Sequence, residues 1–378
     1  MPSKARIAAV PHLFENGASL TQRLAALHDR LLERVPSIAR VACALYDPAE
    51  DLLKTFINST REGEAIAAYQ FKLSESHSLS GLAAKREFRV IDEISSAIKA
   101  DNEHSAWLLA QGYRSSFTVP LYDNNVLLGF VFFDSREPAA FGVEVQRDLV
   151  LFTHLIGMSV ASELAAVRAL AASAQVARDF ANLRDFETGA HLERMARFAR
   201  IIAREVAPKH GRGDEFVEHV FLFAPLHDIG KIGIADSILL KPAGLDPAER
   251  ETMQGHVNKG REMVDKIVGD FGVEHLPDSG VMRNIVECHH EFLDGSGYPR
   301  GLKGDAVPIE ARIVTVADIF DALTSQRPYK KAWSFDDAVG EMEKMVAAGK
   351  LDGDCVAAIR KHREAITAIT ERYVDVDA

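Results

Sequence analysis

The 378-residue sequence contains little cysteine, and its cysteines are far apart. Cys43, Cys288 and Cys355 are the only three, and no two of them form a CxxC pair. An odd number of cysteines at distant positions does not indicate a disulfide framework. We therefore expect reduced thiols and a cytoplasmic location.

Long apolar runs and an export signal are also missing. The longest uninterrupted apolar stretches, such as residues 126–133, are far shorter than the roughly 20 residues of a membrane-spanning helix. The N-terminus lacks the apolar core and small-residue cleavage site of a secretory signal. The sequence predicts neither a membrane span nor export.

An excess of basic residues is absent as well. The formal net charge is -11 at pH 7, which argues against a broad binding surface for long nucleic acids. A few local cations could still hold a small anionic ligand. Hydrophobic residues make up 47% and charged residues 26% of the chain, as in soluble globular proteins. The length is sufficient for two buried cores, so we expect two domains.

The first part of the chain, from about Leu20 to Leu164, mixes helix and strand patterns. Four runs are rich in β-branched and aromatic residues and are predicted as strands: 40–46, 52–57, 117–121 and 126–133. Asp123, Asn124 and Asn125 form a turn signal between the last two runs. The pattern predicts an α+β domain with an antiparallel hairpin inside its sheet.

Several segments of this region resemble a GAF domain. They are Ser80-Gly81-Leu82-Ala83, Phe88-Arg89-Val90-Ile91-Asp92, Val119-Pro120-Leu121, Leu128-Gly129-Phe130 and Ala140-Phe141. The resemblance covers roughly the first 165 residues and implies a sensory domain with an antiparallel sheet and helices. GAF domains bind cyclic nucleotides, haem, bilins or only a protein partner. Isolated residues such as His77, His104 and Cys43 do not select among these, so the GAF ligand stays open.

A long helix is predicted from Val143 to about Asp185. Apolar residues recur at three- and four-residue steps at Leu149, Phe152, Ile156, Val160, Leu164 and Val167. In the first half, packing of this stripe on its own sheet is the favoured interpretation. In the Ala-rich second half, a parallel dimer seam through Leu164 and Val167 is an equal alternative. We expect a homodimer.

After residue 185 helical periodicity dominates, and the second domain is predicted to be all-α. The segment Glu291 to Pro308 is the exception, because four glycines and two prolines prevent a continuous helix there. It is predicted to be an ordered loop between two helices. The expected domains are 1–165, a connecting helix at 166–185, and 186–378.

Histidines cluster in this second domain, several of them beside carboxylates. Glu187 and His191 are four residues apart on a predicted helix, so both side chains project from one face. A surface salt bridge is the alternative for this pair. His227 and Asp228 follow the apolar stretch 221–226. Because buried charge is costly unless it is paired or bound to metal, this doublet indicates a metal site.

A second doublet, His289-His290, is predicted on a helix, where successive side chains diverge by about 100°. The two imidazoles are therefore expected to bind different ions. A site with two or more neighbouring metals, bridged by a carboxylate such as Asp228, accounts for this arrangement.

Seven segments resemble the HD-GYP family in order and spacing over nearly 200 residues. They are 227–232 (HDIGKI), Lys241-Pro242, His256, 289–291 (HHE), 294–299 (DGSGYP), 317–324 (ADIFDALT) and 327–330 (RPYK). The resemblance implies a helical phosphodiesterase domain that hydrolyses cyclic di-GMP to the linear dinucleotide pGpG and, in some members, onward to GMP.

The resemblance also implies the site residues. The metal ligands would be His227, Asp228, His256, His289, His290 and Asp318, joined by Glu187 and His191 in members with a third ion. The sequence matches at every one of these positions. It departs at Phe292-Leu293, where many members have an Arg-Trp-like pair, and at Ala306-Val307, which replaces a more polar dipeptide. The first difference lies in the loop expected beside the guanine.

Imidazole and carboxylate ligands favour iron, then manganese, over thiolate-preferring ions, while zinc stays an alternative. Asp228 and Lys231 are the expected catalytic residues, with Lys231 holding the scissile phosphate or protonating the leaving oxygen. Arg327 and Lys330 are expected to contact phosphate, although surface salt bridges are their alternative. Tyr298 would stack on guanine, and Gly297 would let the backbone approach the substrate or form a purely structural turn.

Two alternative functions remain at this point. One is an HD phosphohydrolase for another cyclic or linear dinucleotide, because the metal centre does not read a base. The other is a non-catalytic cyclic di-GMP receptor, against which the complete ligand set argues.

Overall fold

The computed structural model describes residues 17–100, 103–182, 189–270, 279–325 and 332–374. They divide into two compact units, with the division between Ala161 and Ser162. The predicted architecture is confirmed, with an α+β unit, a long helix and a helical unit. The boundaries at 165 and 185 stay predictions.

The first unit is built on a six-stranded antiparallel sheet with the strand order β3-β2-β1-β6-β5-β4. Its elements are α1 (Leu20–Leu32), β1 (Ile38–Asp47), β2 (Leu52–Thr60), β3 (Gln70–Lys72), α2 (His77–Lys85), β4 (Arg89–Ile91), α3 (Ile94–Ala97), α4 (Glu103–Ala110), β5 (Ser115–Asp123) and β6 (Val126–Ser135).

All four predicted strand runs lie within β1, β2, β5 and β6. The predicted hairpin is confirmed, since Asp123 pairs with Val126. Asn124 and Asn125 have φ values of 45° and 70°, which asparagine tolerates better than most residues. The hairpin strands lie inside the sheet, so the prediction of their position is also confirmed. The short strands β3 and β4 were not predicted.

The long helix α5 runs from Val143 to Asn182. Leu149, Ile156 and Val160 are buried, and Ile156 and Val160 line a small space with Leu24 and Ile57. The first half of the stripe therefore packs within the α+β unit, as favoured from the sequence.

The dimer seam predicted through Leu164 and Val167 is wrong. Both side chains are buried within the chain, and Val167 belongs to the apolar core of the helical unit. Hydrophobic side chains in that core are removed from water by their own chain, so neither residue is available to a second copy. A homodimer stays a prediction that needs another surface.

One stretch of α5, Val143–Ala169, is long and apolar enough to cross a membrane by length and composition, with a mean hydropathy of 1.6. Length and composition alone do not distinguish a membrane span from a core helix, and Leu149 and Val160 are buried. This stretch was not predicted, because its apolar residues do not form one uninterrupted run.

The second unit contains α6 (Gly189–Val206), α7 (Asp214–Phe223), α8 (Asp236–Leu239), α9 (Pro247–Gln254), α10 (His256–Asp270), α11 (Ser279–Cys288), α12 (Ile309–Thr324), α13 (Phe335–Ala347), α14 (Gly353–Lys361) and α15 (Arg363–Arg372). No strand occurs among the described residues after 189, apart from an isolated bridge between Asp294 and Lys303. Phe198, Val220, Ile285 and Phe320 belong to its core.

The glycine-rich segment 291–308 lies between α11 and α12, as predicted, with one short 3₁₀ turn at Gly304–Ala306. Buried Glu291 holds it by accepting backbone N–H groups from Arg300 at 2.7 Å and Leu302 at 2.9 Å. The loop is therefore ordered by a side chain at its own start.

Candidate metal centre

Imidazole and carboxylate side chains converge inside the helical unit in two groups. The donor atoms within each group lie within 4.8 Å of one another, which is close enough for a shared ion. The first group is Asp228, His256, His289 and His290, and the second is His191, His227 and Asp318. Every one of these residues was predicted as a ligand.

Close helix packing brings the first group together. His227 and Asp228 lie between the short 3₁₀ turns Ala224–Leu226 and Ile229–Gly233, and the second of these turns packs on α10, which begins at His256. A Cβ atom at Gly230 would lie 1.9 Å from the carbonyl oxygen of His256 and 2.4 Å from the backbone nitrogen of Gly260. Only glycine permits this approach. The part that Gly260 takes in this packing was not predicted.

The histidine rings are oriented by hydrogen bonds from Nδ1. His227 bonds to the Ala224 carbonyl at 2.9 Å, His256 to the Met253 carbonyl at 2.8 Å, and His289 to the Ile285 carbonyl at 3.1 Å. Since a carbonyl oxygen only accepts, each Nδ1 carries the proton. Each Nε2 then presents a lone pair, the form in which neutral imidazole binds metal.

Several of the inward-facing atoms are buried without hydrogen bonds. Asp228 Oδ1, His256 Nε2 and His289 Nε2 have no hydrogen-bond partner in the part of the chain that the structure describes. His256 Nε2 is 3.0 Å from Asp228 Oδ1 but does not have hydrogen-bond geometry to it. Buried polar atoms without hydrogen-bond partners are costly. A divalent ion bound between these atoms would coordinate all of them and remove that cost, so the residues present fit a metal site.

Asp228 is positioned between the two groups. Its Oδ1 is 3.6 Å from His289 Nε2 in the first group, whereas its Oδ2 is 3.2 Å from His227 Nε2 in the second. Burial alone would raise the pKa of Asp228, but the adjacent Lys231 ammonium group holds it well below its usual value. The carboxylate is therefore ionised and has one oxygen toward each group.

The second group is oriented by a carboxylate, Asp321, that was not predicted as part of the site. His191 Nδ1 donates to Asp321 Oδ2 at 2.7 Å, and Arg194 Nε donates to Asp321 Oδ1 at 2.6 Å. Asp321 is buried, and hydrogen bonds from His191 and Arg194 outweigh its burial and lower its pKa. Asp321 lies three residues after Asp318 on α12, so the two carboxylates are neighbours on one face of the helix. This spacing was the signal in the sequence that could have identified Asp321.

The helical geometry from which His289 and His290 were expected to bind different ions is not present. Their ring centroids are 4.1 Å apart, and both belong to the first group. Helix α11 ends at Cys288, so the doublet lies in the following turn and is not spread by helical geometry. Burial lowers the pKa of both histidines, which keeps them neutral and able to bind metal.

The predicted substrate residues lie partly beside these groups. Lys231 Nζ is 2.9 Å from Asp228 Oδ2, and the ring of Tyr298 is 4.7 Å from the ring of His290. Gly297 packs on its own chain, where an added Cβ would lie 2.4 Å from the carbonyl oxygen of His290. This close approach supports the structural interpretation of Gly297. Glu187, Arg327 and Lys330 lie outside the described residues.

Comparison with known proteins supports this site. Residues 175–355 match the model of the HD domain family. The cyclic di-GMP phosphodiesterase response regulator RpfG of Xanthomonas campestris pv. campestris is 41% identical over 196 residues, covering 52% of this chain and 48% of that protein. A protein named cyclic di-GMP phosphodiesterase from Thermotoga maritima is 42% identical over 195 residues, covering 51% and 50%.

A relative with a different named substrate is also similar. The 3'3'-cGAMP-specific phosphodiesterase 3 of Vibrio cholerae is 36% identical over 191 residues, covering 50% of this chain and 37% of that protein. The chain thus spans about half the length of the first two relatives and 37% of the length of the third.

A solved structure is similar to another part of the chain. The GAF domain of a phosphoenolpyruvate-protein phosphotransferase from Coxiella burnetii covers 39% of this chain and 85% of its own, with 17% identity and a TM-score of 0.33.

Proposed function

We propose that the chain is a metal-dependent phosphodiesterase of the HD-GYP type that hydrolyses cyclic di-GMP. The match of residues 175–355 to the HD domain family and the similarity to proteins named cyclic di-GMP phosphodiesterases support this proposal. The proposed product is the linear dinucleotide pGpG, which some members of the HD-GYP family hydrolyse onward to GMP. The observation that carries the proposal is the position of Asp228, which has one carboxylate oxygen toward each of two groups of metal-binding side chains.

Divalent ions held by the two groups would neutralise phosphoryl oxygens and lower the pKa of a water molecule. Asp228 would be shared between them, while His256, His289 and His290 hold one side and His191, His227 and Asp318 the other. The Nδ1 hydrogen bonds keep these rings in place, so little reorganisation is needed when substrate binds.

Other side chains would position the dinucleotide. Lys231, at the edge of the groups, is proposed to hold the scissile phosphate or protonate the leaving oxygen. Tyr298 would stack on a guanine beside His290. Arg327 and Lys330 are proposed as phosphate contacts from the sequence resemblance.

A substrate panel tests the proposal. Purified protein, loaded with iron or manganese without oxygen, is given cyclic di-GMP, 3'3'-cGAMP and linear dinucleotides, and the products are separated by chromatography. We expect pGpG from cyclic di-GMP and loss of turnover in Asp228→Ala. Faster hydrolysis of 3'3'-cGAMP would favour the alternative substrate class, which the Vibrio cholerae relative supports by name. Tight binding without turnover in metal-loaded protein would favour a receptor.

We also propose that the resident metal is iron, with manganese next, and that three ions bind per chain. The third ion rests on Glu187, which the sequence places four residues before His191. Elemental analysis of loaded protein should give three ions, and Glu187→Ala should lower the number toward two. A reproducible two ions in the unmutated protein would contradict the third site.

The remaining parts of the proposal concern the whole protein. The α+β domain is proposed to regulate turnover, and the protein is proposed to be a cytoplasmic homodimer. These proposals rest on the cysteine pattern, the GAF resemblance and the long helix. Turnover by the full chain in the presence and absence of an α+β domain ligand would test the regulation.

A further inference from the structure

Arg194 on α6 holds the carboxylate of Asp321 from one side. Its Nε donates to Asp321 Oδ1 at 2.6 Å, and its Nη2 donates to Asp321 Oδ2 at 3.0 Å. Nη2 also donates to the hydroxyl of Ser325 at 2.7 Å, and this hydroxyl donates to Asp321 Oδ2 at 3.0 Å. Paired bonds between a guanidinium and a carboxylate fix the geometry of both groups as well as adding energy. The plane of the Arg194 guanidinium therefore determines the orientation of Asp321.

Another edge of the same guanidinium binds the backbone that follows α15. Nη1 of Arg194 donates to the carbonyl oxygen of Tyr373 at 2.8 Å. Tyr373 directly follows α15, and its own N–H donates to the Ile369 carbonyl at 3.0 Å. Arg194 is only 3% exposed, and a buried charge is costly unless the protein supplies its partners. One buried arginine thus joins Asp321 on α12 to Tyr373.

The ring of Tyr373 is held by a second arginine of α6. The guanidinium of Arg197 lies 4.4 Å from the ring centre of Tyr373, and its Nη1 donates to a carboxylate oxygen of Glu193. Arg197 is 5% exposed, and the attraction between a guanidinium and an aromatic face increases where water is excluded. Arg194 and Arg197 are three residues apart and therefore lie on one face of α6, where they hold the carbonyl and the ring of Tyr373.

Asp321 is the link between Arg194 and a metal-binding side chain. Its Oδ2 accepts a hydrogen bond from His191 Nδ1 at 2.7 Å, and His191 belongs to the second group. The N–H donors of arginine lie in one rigid plane, so the bond to Tyr373 and the bonds to Asp321 cannot be adjusted independently. If the bond to Tyr373 were lost, the guanidinium plane could rotate, and Asp321 and the His191 ring would move with it.

Two histidines of the first group are oriented by local backbone instead. His256 Nδ1 donates to the Met253 carbonyl, and His289 Nδ1 donates to the Ile285 carbonyl, each within about one helical turn of the ring. These bonds involve neither Arg194 nor Asp321. A change at Tyr373 should therefore affect the second group and leave the first group unchanged.

We propose that Tyr373 is a positioning residue for the second group, and that it acts on His191 through Arg194. The carbonyl oxygen of Tyr373 fixes the plane of Arg194, and its ring, held by Arg197, fixes the position of that carbonyl. The inference rests on the proposed metal-dependent function, since His191 is one of the expected ligands, but it concerns metal binding and not the substrate. A ligand ring that is already in place loses less freedom when it binds an ion, so Tyr373 raises the affinity of the second group for its ion.

Manganese titration of the metal-free full chain tests this role in the absence of substrate. Calorimetry resolves the binding steps, and His191→Ala and His290→Ala identify the steps that belong to the second and to the first group. Tyr373→Ala removes the ring that Arg197 contacts. It should weaken the second-group step at least about threefold, because the cation–π contact and the fixed carbonyl position are lost. The first-group step should stay unchanged.

Two further variants separate positioning from a general loss of stability. Tyr373→Phe keeps the ring and the backbone carbonyl, so it should bind manganese like the unmutated chain. Arg363→Gln removes an exposed ion pair between α15 and Asp336 and should change neither step. If Tyr373→Ala does not fold, Tyr373→Leu is measured instead, because leucine keeps apolar bulk but has no ring face.

Equal weakening of both steps, or an unchanged second-group step, in the folded Tyr373 variant overturns the proposal. An unmutated chain that binds no manganese would overturn the metal centre as well. Because the titration contains no substrate, its result is independent of whether the chain hydrolyses cyclic di-GMP.

Discussion

At the residue scale, the metal centre depends on hydrogen bonds that fix which ring nitrogen faces inward. Three histidines use backbone carbonyls for this purpose, namely His227, His256 and His289. His191 uses the carboxylate of Asp321, which is itself held by Arg194. A carboxylate behind a ligand imidazole raises its basicity as well as orienting it.

Asp321→Asn should therefore weaken metal binding by the second group, by about 10- to 100-fold, while the fold persists. Asparagine keeps the shape of aspartate but removes its charge. Calorimetric titration with manganese measures the affinity, and circular dichroism reports the fold. Asp305→Asn, at a fully exposed carboxylate, is the control. Equal affinity in Asp321→Asn and the unmutated protein would contradict a role in positioning His191.

At the element scale, local patterns predicted most of the framework. Runs rich in β-branched and aromatic residues predicted β1, β2, β5 and β6, and helical periodicity predicted α5. The short strand β4 has only three residues, too few for a periodic pattern to develop. The ligand residues were predictable from their types and from the HD-GYP resemblance. The role of Gly260 was not predictable, because it arises from a tertiary contact, and Asp321 was indicated only by its spacing from Asp318.

The contact between the 3₁₀ turn at Gly230 and helix α10 gives a second prediction. Gly230→Ala should destabilise the helical unit by about 1 to 3 kcal/mol and reduce metal content, because its Cβ would overlap the His256 carbonyl. Chemical denaturation and elemental analysis measure the two effects. Gly244→Ala is a matched control, since no atom lies within 4 Å of its added Cβ. Normal stability and metal content in Gly230→Ala would mean that the 3₁₀ turn can move away from helix α10 without a loss of stability.

Helix α5 gives a third prediction, about the dimer. Exposed residues recur at alternating four- and three-residue steps along it: Leu151, Leu155, Met158, Ser162, Ala165, Ala169, Ala172 and Val176. Such a repeat is typical of a coiled-coil seam, and it differs from the buried stripe through Leu149 and Val160.

Glutamate at both Leu155 and Met158 should therefore convert a dimer into monomers. These side chains are 48% and 70% exposed, so the change should leave the folded chain intact. Light scattering measures the mass, and Val143→Glu, another exposed apolar position, serves as the control. A dimer that persists in the double variant would place the interface elsewhere.

At the scale of the whole molecule, two units with different chemistry share one chain. The helical unit concentrates neutral imidazoles around Asp228, whereas the α+β unit encloses arginines and aromatic rings. The overall charge of -11 does not reveal the metal centre, because the centre is formed by a few buried groups. Composition argues against a class of partner, long nucleic acids, but the fold determines which side chains come together in the metal centre.

Stepwise metal loading shows whether hydrolysis of cyclic di-GMP depends on ions bound around Asp228. Full-length protein is stripped with a chelator, reloaded stepwise with iron or manganese without oxygen, and assayed at each measured number of ions per chain. We predict no turnover without metal and a rise as the two groups around Asp228 fill, absent in Asp228→Ala. Full hydrolysis by metal-free protein, or none by fully loaded and folded protein, would contradict the account.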